Sequence, residues 1–118
     1  MAPVGRWQLT GGHTAVVTEP LWMLMTTYVR PEPEVDALLA AHVAHLERQR
    51  DAGRFVAWGR LVPRTGGFVL ARLADRAAVD ALLAEDPFTS GGVATWTVHQ
   101  LALTGGDAAV VAALTGGV

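Results

Sequence analysis

The sequence predicts an α+β domain of β-α-β-β-α-β order, the ferredoxin-like plan. Three observations predict it. An apolar run at 21–29 stops at Pro31, and an amphipathic stretch with helix-type ends covers 33–52. Two strand-like runs then flank a Pro-Gly turn and precede a second helix and a last alternating run. In this plan an antiparallel sheet carries both helices on one face.

Each element has its own warrant. Leu21 to Val29 is short, apolar and bounded by Pro31, which reads as a buried strand. From Pro33 to Ala52, Val35, Leu38, Leu39, Val43 and Leu46 recur at helical spacing. Acidic residues fill the first turn, Arg48 and Arg50 the last, and Gly53 supplies a left-handed stop. Residues 54–62 and 68–73 are strands joined by the 63–67 turn. Asp75 caps a second helix with Val79, Leu82 and Leu83 on one face, and Pro87 ends it. A Thr-Ser-Gly-Gly link leads to a last strand over 93–103. Residues 104–118 form a short helix or a loose tail. Residues 1–20 are two short strands (4–9 and 14–18) or an arm packed by Trp7, outside the 21–103 domain. The helix-free face of the sheet needs a cover. Trp58 and Trp96 fall in strands, and a second copy over that face would account for apolar residues on both sides, so a homodimer is expected.

Composition excludes much chemistry. The 118 residues contain no Cys, no Lys, one Ser, four His and eleven carboxylates, and all nine basic residues are Arg. Disulfides, thiolate nucleophiles, Cys-ligated metals, Schiff bases and a P-loop lysine are therefore absent. The net charge of −2 with scattered Arg residues offers no basic patch for nucleic acid or an anionic membrane. No signal peptide or membrane span is read, and the absence of Cys fits a cytoplasmic protein. The Gly pairs are turn material, and Ser90 lacks a nucleophile-elbow context.

Two polar residues are conspicuous. Counted from Val35 at about 100° per residue, Leu39, Val43 and Leu46 lie near 40°, 80° and 20°, with Leu38 near 300°. His42 falls near 340°, inside the apolar arc, and His45 near 280°, on its edge. Such a His must find a hydrogen-bond partner, either as a structural core-edge residue or as a general acid/base. His42 and His45 at i, i+3 also have the spacing of a metal pair, but two ligands do not make a stable site, so no metal is expected. Asp86 closes the second helix at the negative end of its dipole, where a neighbouring cation would relieve it; otherwise it is a turn former before Pro87. His99 shares the phase of Val93 and Leu101 and reads as a satisfied, half-buried residue. His13 says little.

The run from His42 (His-Val-Ala-His-Leu-Glu-Arg-Gln-Arg-Asp-Ala-Gly-Arg-Phe-Val-Ala-Trp-Gly) to Gly59 resembles the signature of the YCII-related family. In that family a helix His precedes a leucine-rich turn, a Gly-Arg stop and a strand ending in Gly seventeen residues on. Glu85-Asp86-Pro87-Phe88 with Gly92 resembles its Asp-Pro-aromatic motif. The resemblance spans about 21–103 and implies a dimeric α+β barrel with a His–Asp pair in a cleft, here His42 and Asp86. A dehydrochlorinase-type activity is among the family's roles. Three positions depart from the pattern: Leu39 stands where an Arg is frequent, Arg60 where a Pro often follows the strand's Gly, and Leu101 where a Pro closes the last strand.

The expected function is that of a small cofactor-independent enzyme acting on an apolar cyclic or aromatic small molecule by elimination, isomerisation, cyclisation or hydrolysis. His42 would be the general acid/base, oriented and kept partly cationic by Asp86. Trp58, Gly59, Phe88 and Trp96 would bind substrate, although the aromatic residues could equally serve core or dimer interface. The alternatives are a non-catalytic small-molecule-binding or partner module and a cofactor-free oxygenase or cyclase.

Overall fold

The computed structural model describes residues 19–116. The two short strands or arm expected over residues 1–18, with Trp7 and His13, lie outside them. The elements are β1 (Leu21–Tyr28), α1 (Glu32–Asp51), β2 (Phe55–Arg60), β3 (Gly66–Arg72), α2 (Arg76–Glu85), α3 (Pro87–Ser90), β4 (Ala94–Leu101) and α4 (Ala108–Leu114). The four strands form one antiparallel sheet in the order β2-β3-β1-β4, the ferredoxin-like arrangement. Helices α1 and α2 pack on one face of it, so the α+β fold expected from the element order is the one observed.

Local chemistry explains the helix ends. At the end of α1, Gly53 adopts φ 79° and donates its N–H to Arg50, while the Arg54 N–H reaches the Gln49 carbonyl. That pair of bonds is a Schellman stop, and it turns the chain straight into β2. The Asp75 carboxylate accepts from the Ala78 N–H to begin α2, and Asp107 does the same for α4 through Ala109 and Val110. Residues 104–118 thus contain the helix, not only a tail.

Residues alternate across the sheet. Trp22, Leu24 and Thr26 of β1 face the helices, with Ala71, Val69 and Gly67 beside them on β3 and Val98 and Trp96 on β4. The main core joins Trp22, Leu24, Phe55 and Val69 to Leu46 of α1 and to Val79, Leu82 and Leu83 of α2. The Trp22 indole donates to the Leu73 carbonyl at 2.9 Å, so its burial leaves no orphan donor. On the opposite face Met23, Met25, Phe68 and Leu70 are half-buried beside Thr95 and Thr97.

Four expectations are corrected. Trp58 and Trp96 lie on the face that α1 and α2 cover, packed at the edge of the main core, and not on the opposite one. His99 is exposed beside Met23, because its phase on an edge strand points away from α1 and α2. Gly66 and Gly67 belong to β3 and not to the turn: a Cβ on Gly66 would run into the Thr26 carbonyl, so glycine lets the two strands close. Finally, residues 87–90 are a helical turn where a link was expected.

Candidate active site

The site forms where α1 crosses the sheet and α3 closes one end. On α1 the buried residues are Val35, His45, Leu46 and Gln49, with Leu38, Leu39, His42 and Val43 partly covered. The apolar arc is therefore wider than the leucine pattern implied. His45, expected at its edge, is 1% exposed and packs edge-on against Phe55 at 6.1 Å between ring centroids. Burial holds the His45 imidazole below the ordinary histidine range. The charge of Arg48 pushes the same way, and Asp86 pushes back. His42, in mid-arc, keeps 12% of its side chain accessible because it overhangs a cavity and not packed core.

His42 and Asp86 meet. The imidazole Nδ1 lies 2.8 Å and 2.9 Å from the two carboxylate oxygens of Asp86. A carboxylate only accepts, so Nδ1 carries the hydrogen toward Asp86, and in the neutral ring Nε2 is the nitrogen with the lone pair. Asp86 is 1% exposed, and its Oδ1 also accepts from the Phe88 N–H at 2.8 Å. That second bond relieves the strain expected from the α2 dipole. Asp86 ends α2 but also caps α3, whose first residue, Pro87, has no N–H to satisfy.

Helix α3, four residues long, organises the rest. Phe88 stacks on His42 with centroids 3.8 Å apart and planes 7° from parallel, and Tyr28 meets Phe88 edge-on. The Thr89 hydroxyl accepts from the Trp96 indole at 3.0 Å. Gly91 lies against α1 so closely that a Cβ there would strike Leu38. One His ring is thus clamped on Nδ1 by a buried carboxylate and on one face by a buried phenyl ring.

Below it lies a cavity of about 200 Å³, lined by His42, Leu39, Trp58, Gly59, Arg60, Thr26, Phe88 and Trp96 among others. An apolar cavity of about 150 Å³ is enough for benzene, so this one suits a substituted single ring. All six residues singled out from sequence, His42, Asp86, Trp58, Gly59, Phe88 and Trp96, lie in or directly behind this cavity. Arg60, Thr26 and Tyr28 also line it and were not singled out. For Arg60 the signal was present, since it is two residues from Trp58 on one strand and so shares its face. Among the described residues no three His, Asp or Glu side chains are grouped to hold a metal ion. Nor does any helix there have the length and apolarity to cross a membrane.

A family model described as YCII-related domain matches residues 21–102. The fold is similar to that of 5-chloro-2-hydroxyhydroquinone dehydrochlorinase (TftG) from Burkholderia phenoliruptrix AC1100, solved in complex with 2,5-dihydroxybenzoquinone. The TM-score is 0.57 at 22% identity, over 69% of this chain and 93% of that one. A weaker likeness is to SnoaB, a cofactor-independent oxygenase from Streptomyces nogalater, with TM-score 0.47 and 17% identity over 76% of this chain and 97% of that one. No curated protein matches the chain by sequence.

Proposed function

This chain belongs to the YCII-related domain family, and we propose that it is a small acid–base enzyme acting on a single-ring, largely apolar small molecule, with His42 moving the proton. The observation that carries this reading is the His42–Asp86 contact at the roof of a ring-sized cavity. Three features support a working His over a merely structural one. Its Nδ1 is held by a buried carboxylate, which sets the tautomer and the ring angle. Its side chain lines the cavity, leaving Nε2 as the nitrogen free to take or give a proton. Its ring is stacked on Phe88, so it does not swing when the proton moves.

The chemistry follows from what the lining provides. Nε2 accepts a proton from a bound ring or its substituent, and the charge that appears on the imidazole faces Asp86. Returning the proton to a different atom completes an isomerisation, and departure of a leaving group from the ring completes an elimination. No residue of the cavity wall is a thiol, a lysine or a serine, and of its two ionisable rings, His42 and Tyr28, only His42 is held by a buried carboxylate, which favours it for this chemistry. The reading needs no cofactor, and homodimerisation over the bare sheet face is part of it.

The test is turnover of a panel of hydroxylated and halogenated single-ring compounds, beginning with 5-chloro-2-hydroxyhydroquinone, by wild type and by His42→Ala and Asp86→Asn. A positioned His contributes about 10²–10⁴-fold, and a loss of that order is expected for His42→Ala, with a smaller loss for Asp86→Asn. Normally folded variants with wild-type rates would leave the pair a structural contact in a non-catalytic module.

A further inference from the structure

We infer that Arg60 is a specificity residue, and that the cavity selects rings carrying an anionic oxygen, phenolate or carboxylate, which the guanidinium holds. The inference rests on the single-ring reading of the cavity given above.

The register of the sheet places Arg60 there. Arg60 pairs with Gly67, Gly67 with Thr26, and Thr26 with Trp96, so these four form one row across all four strands on the helix-covered face. With strands about 4.8 Å apart, Arg60 and Trp96 stand about 14 Å apart along that row. Between them Gly67 has no side chain; a Cβ there would press on the Gly59 carbonyl. The row is therefore a floor with an aromatic wall at one end and a cation at the other. Trp58, two residues before Arg60 on the same strand face, adds a second aromatic surface beside the cation.

The charges around the cavity point the same way. Its lining contains one permanent cation, Arg60, the ionisable rings of His42 and Tyr28, and no carboxylate. Asp86, the acid behind the wall, is already taken up by His42 and the Phe88 N–H. Six other Arg side chains pair locally: Arg30 with Glu34, Arg50 with Asp51, Arg54 with Gln49, Arg64 with Glu32 and Asp36, Arg72 with the Ala113 carbonyl and Arg76 with Asp80. The side chains of Arg48 and Arg60 make no hydrogen bond or ion pair among the described residues, and of these two only Arg60 lines the cavity. A planar fork of donors beside a flat floor flanked by aromatic rings complements an oxyanion on an aromatic ring.

The probes are benzoate and 4-nitrophenolate, with benzamide as the neutral ring, titrated by NMR at mildly alkaline pH into wild type, Arg60→Gln and His42→Ala. Wild type is expected to bind the anionic rings about tenfold more tightly than benzamide, the ~1.4 kcal/mol of one charge-assisted contact at a solvent-facing site. Arg60→Gln should erase that preference and leave benzamide affinity unchanged, whereas His42→Ala should keep it. A preference for benzoate over 4-nitrophenolate, or the reverse, identifies which oxyanion the cavity fits. Equal binding of anionic and neutral rings to wild type overturns the assignment, as does a preference that survives Arg60→Gln or disappears with His42→Ala. In those cases rings still bind and the acid–base reading stands. If no ring binds to wild type, the single-ring reading falls along with the role of Arg60.

Discussion

At the scale of single residues, two histidines three positions apart on one helix have opposite situations. His45 is enclosed beside Phe55, and burial disfavours its charged form. Its folded-state value lies below the ordinary 6.5, so below that pH the unfolded chain binds a proton that the folded one refuses. Stability should therefore fall as pH drops from about 6.5 towards the lowered folded value. Thermal melts across that window should show the loss, and His45→Gln should flatten it relative to wild type. His42 carries the opposite trade. Truncating His42, or replacing the Asp86 carboxylate by an amide with one acceptor oxygen for the two N–H groups it serves, costs about 1–3 kcal/mol of stability. Melts of His42→Ala and Asp86→Asn should record that cost in any case, and only a loss of turnover in the folded protein separates a catalytic pair from a structural one. The helical phase placed His42 in the apolar arc, and the family resemblance paired it with Asp86. What neither could give is the reason His42 keeps some exposure, because a cavity is a property of several elements at once.

At the scale of elements, α3 decides the site. Four residues deliver the cap of Asp86, the stacking of Phe88 and the hydroxyl that holds Trp96. Two adjacent glycines end it for different reasons. Gly91 leaves room for Leu38 and the Pro87 carbonyl, whereas Gly92 has open space around it but adopts φ 69°. Gly91→Ala is expected to cost about 1–3 kcal/mol by forcing α3 away from α1, and to disturb the His42–Phe88 stack. Gly92→Ala should cost about 1 kcal/mol through backbone strain alone, with the stack intact. Urea denaturation of both, with NMR of the His42 ring, checks the distinction. The sequence showed Asp-Pro as a boundary, and it was one. It did not show that the residues beyond it would turn helical, because four residues have no periodicity to read.

At the scale of the whole molecule, α1 and α2 cover one face of the sheet, and the opposite face presents the half-buried Met23, Met25, Phe68 and Leu70 among the described residues. Such a face is the expected seat of a second copy, and light scattering on eluted protein should give a dimer mass. Met25→Glu combined with Leu70→Glu should shift that mass to the monomer, since two buried unpaired charges per subunit are costly. A variant that remains dimeric would place the interface elsewhere. Because Trp58 and Trp96 are on the other face, their substitution should change ring binding without changing the mass.

By itself the sequence determined the element order, the antiparallel ferredoxin-like plan and the candidate pair His42 and Asp86. Hydrophobic period, caps and glycine stops act over a few residues, and the motif spacing lies within one chain. Tertiary structure alone decided that those two side chains touch, that His45 and not His42 is the buried one, and that both tryptophans face the helices. It also decided that Arg60 shares a row with Gly67, Thr26 and Trp96. All of these depend on strand register and on how helices sit across the sheet, which sequence-distant contacts set.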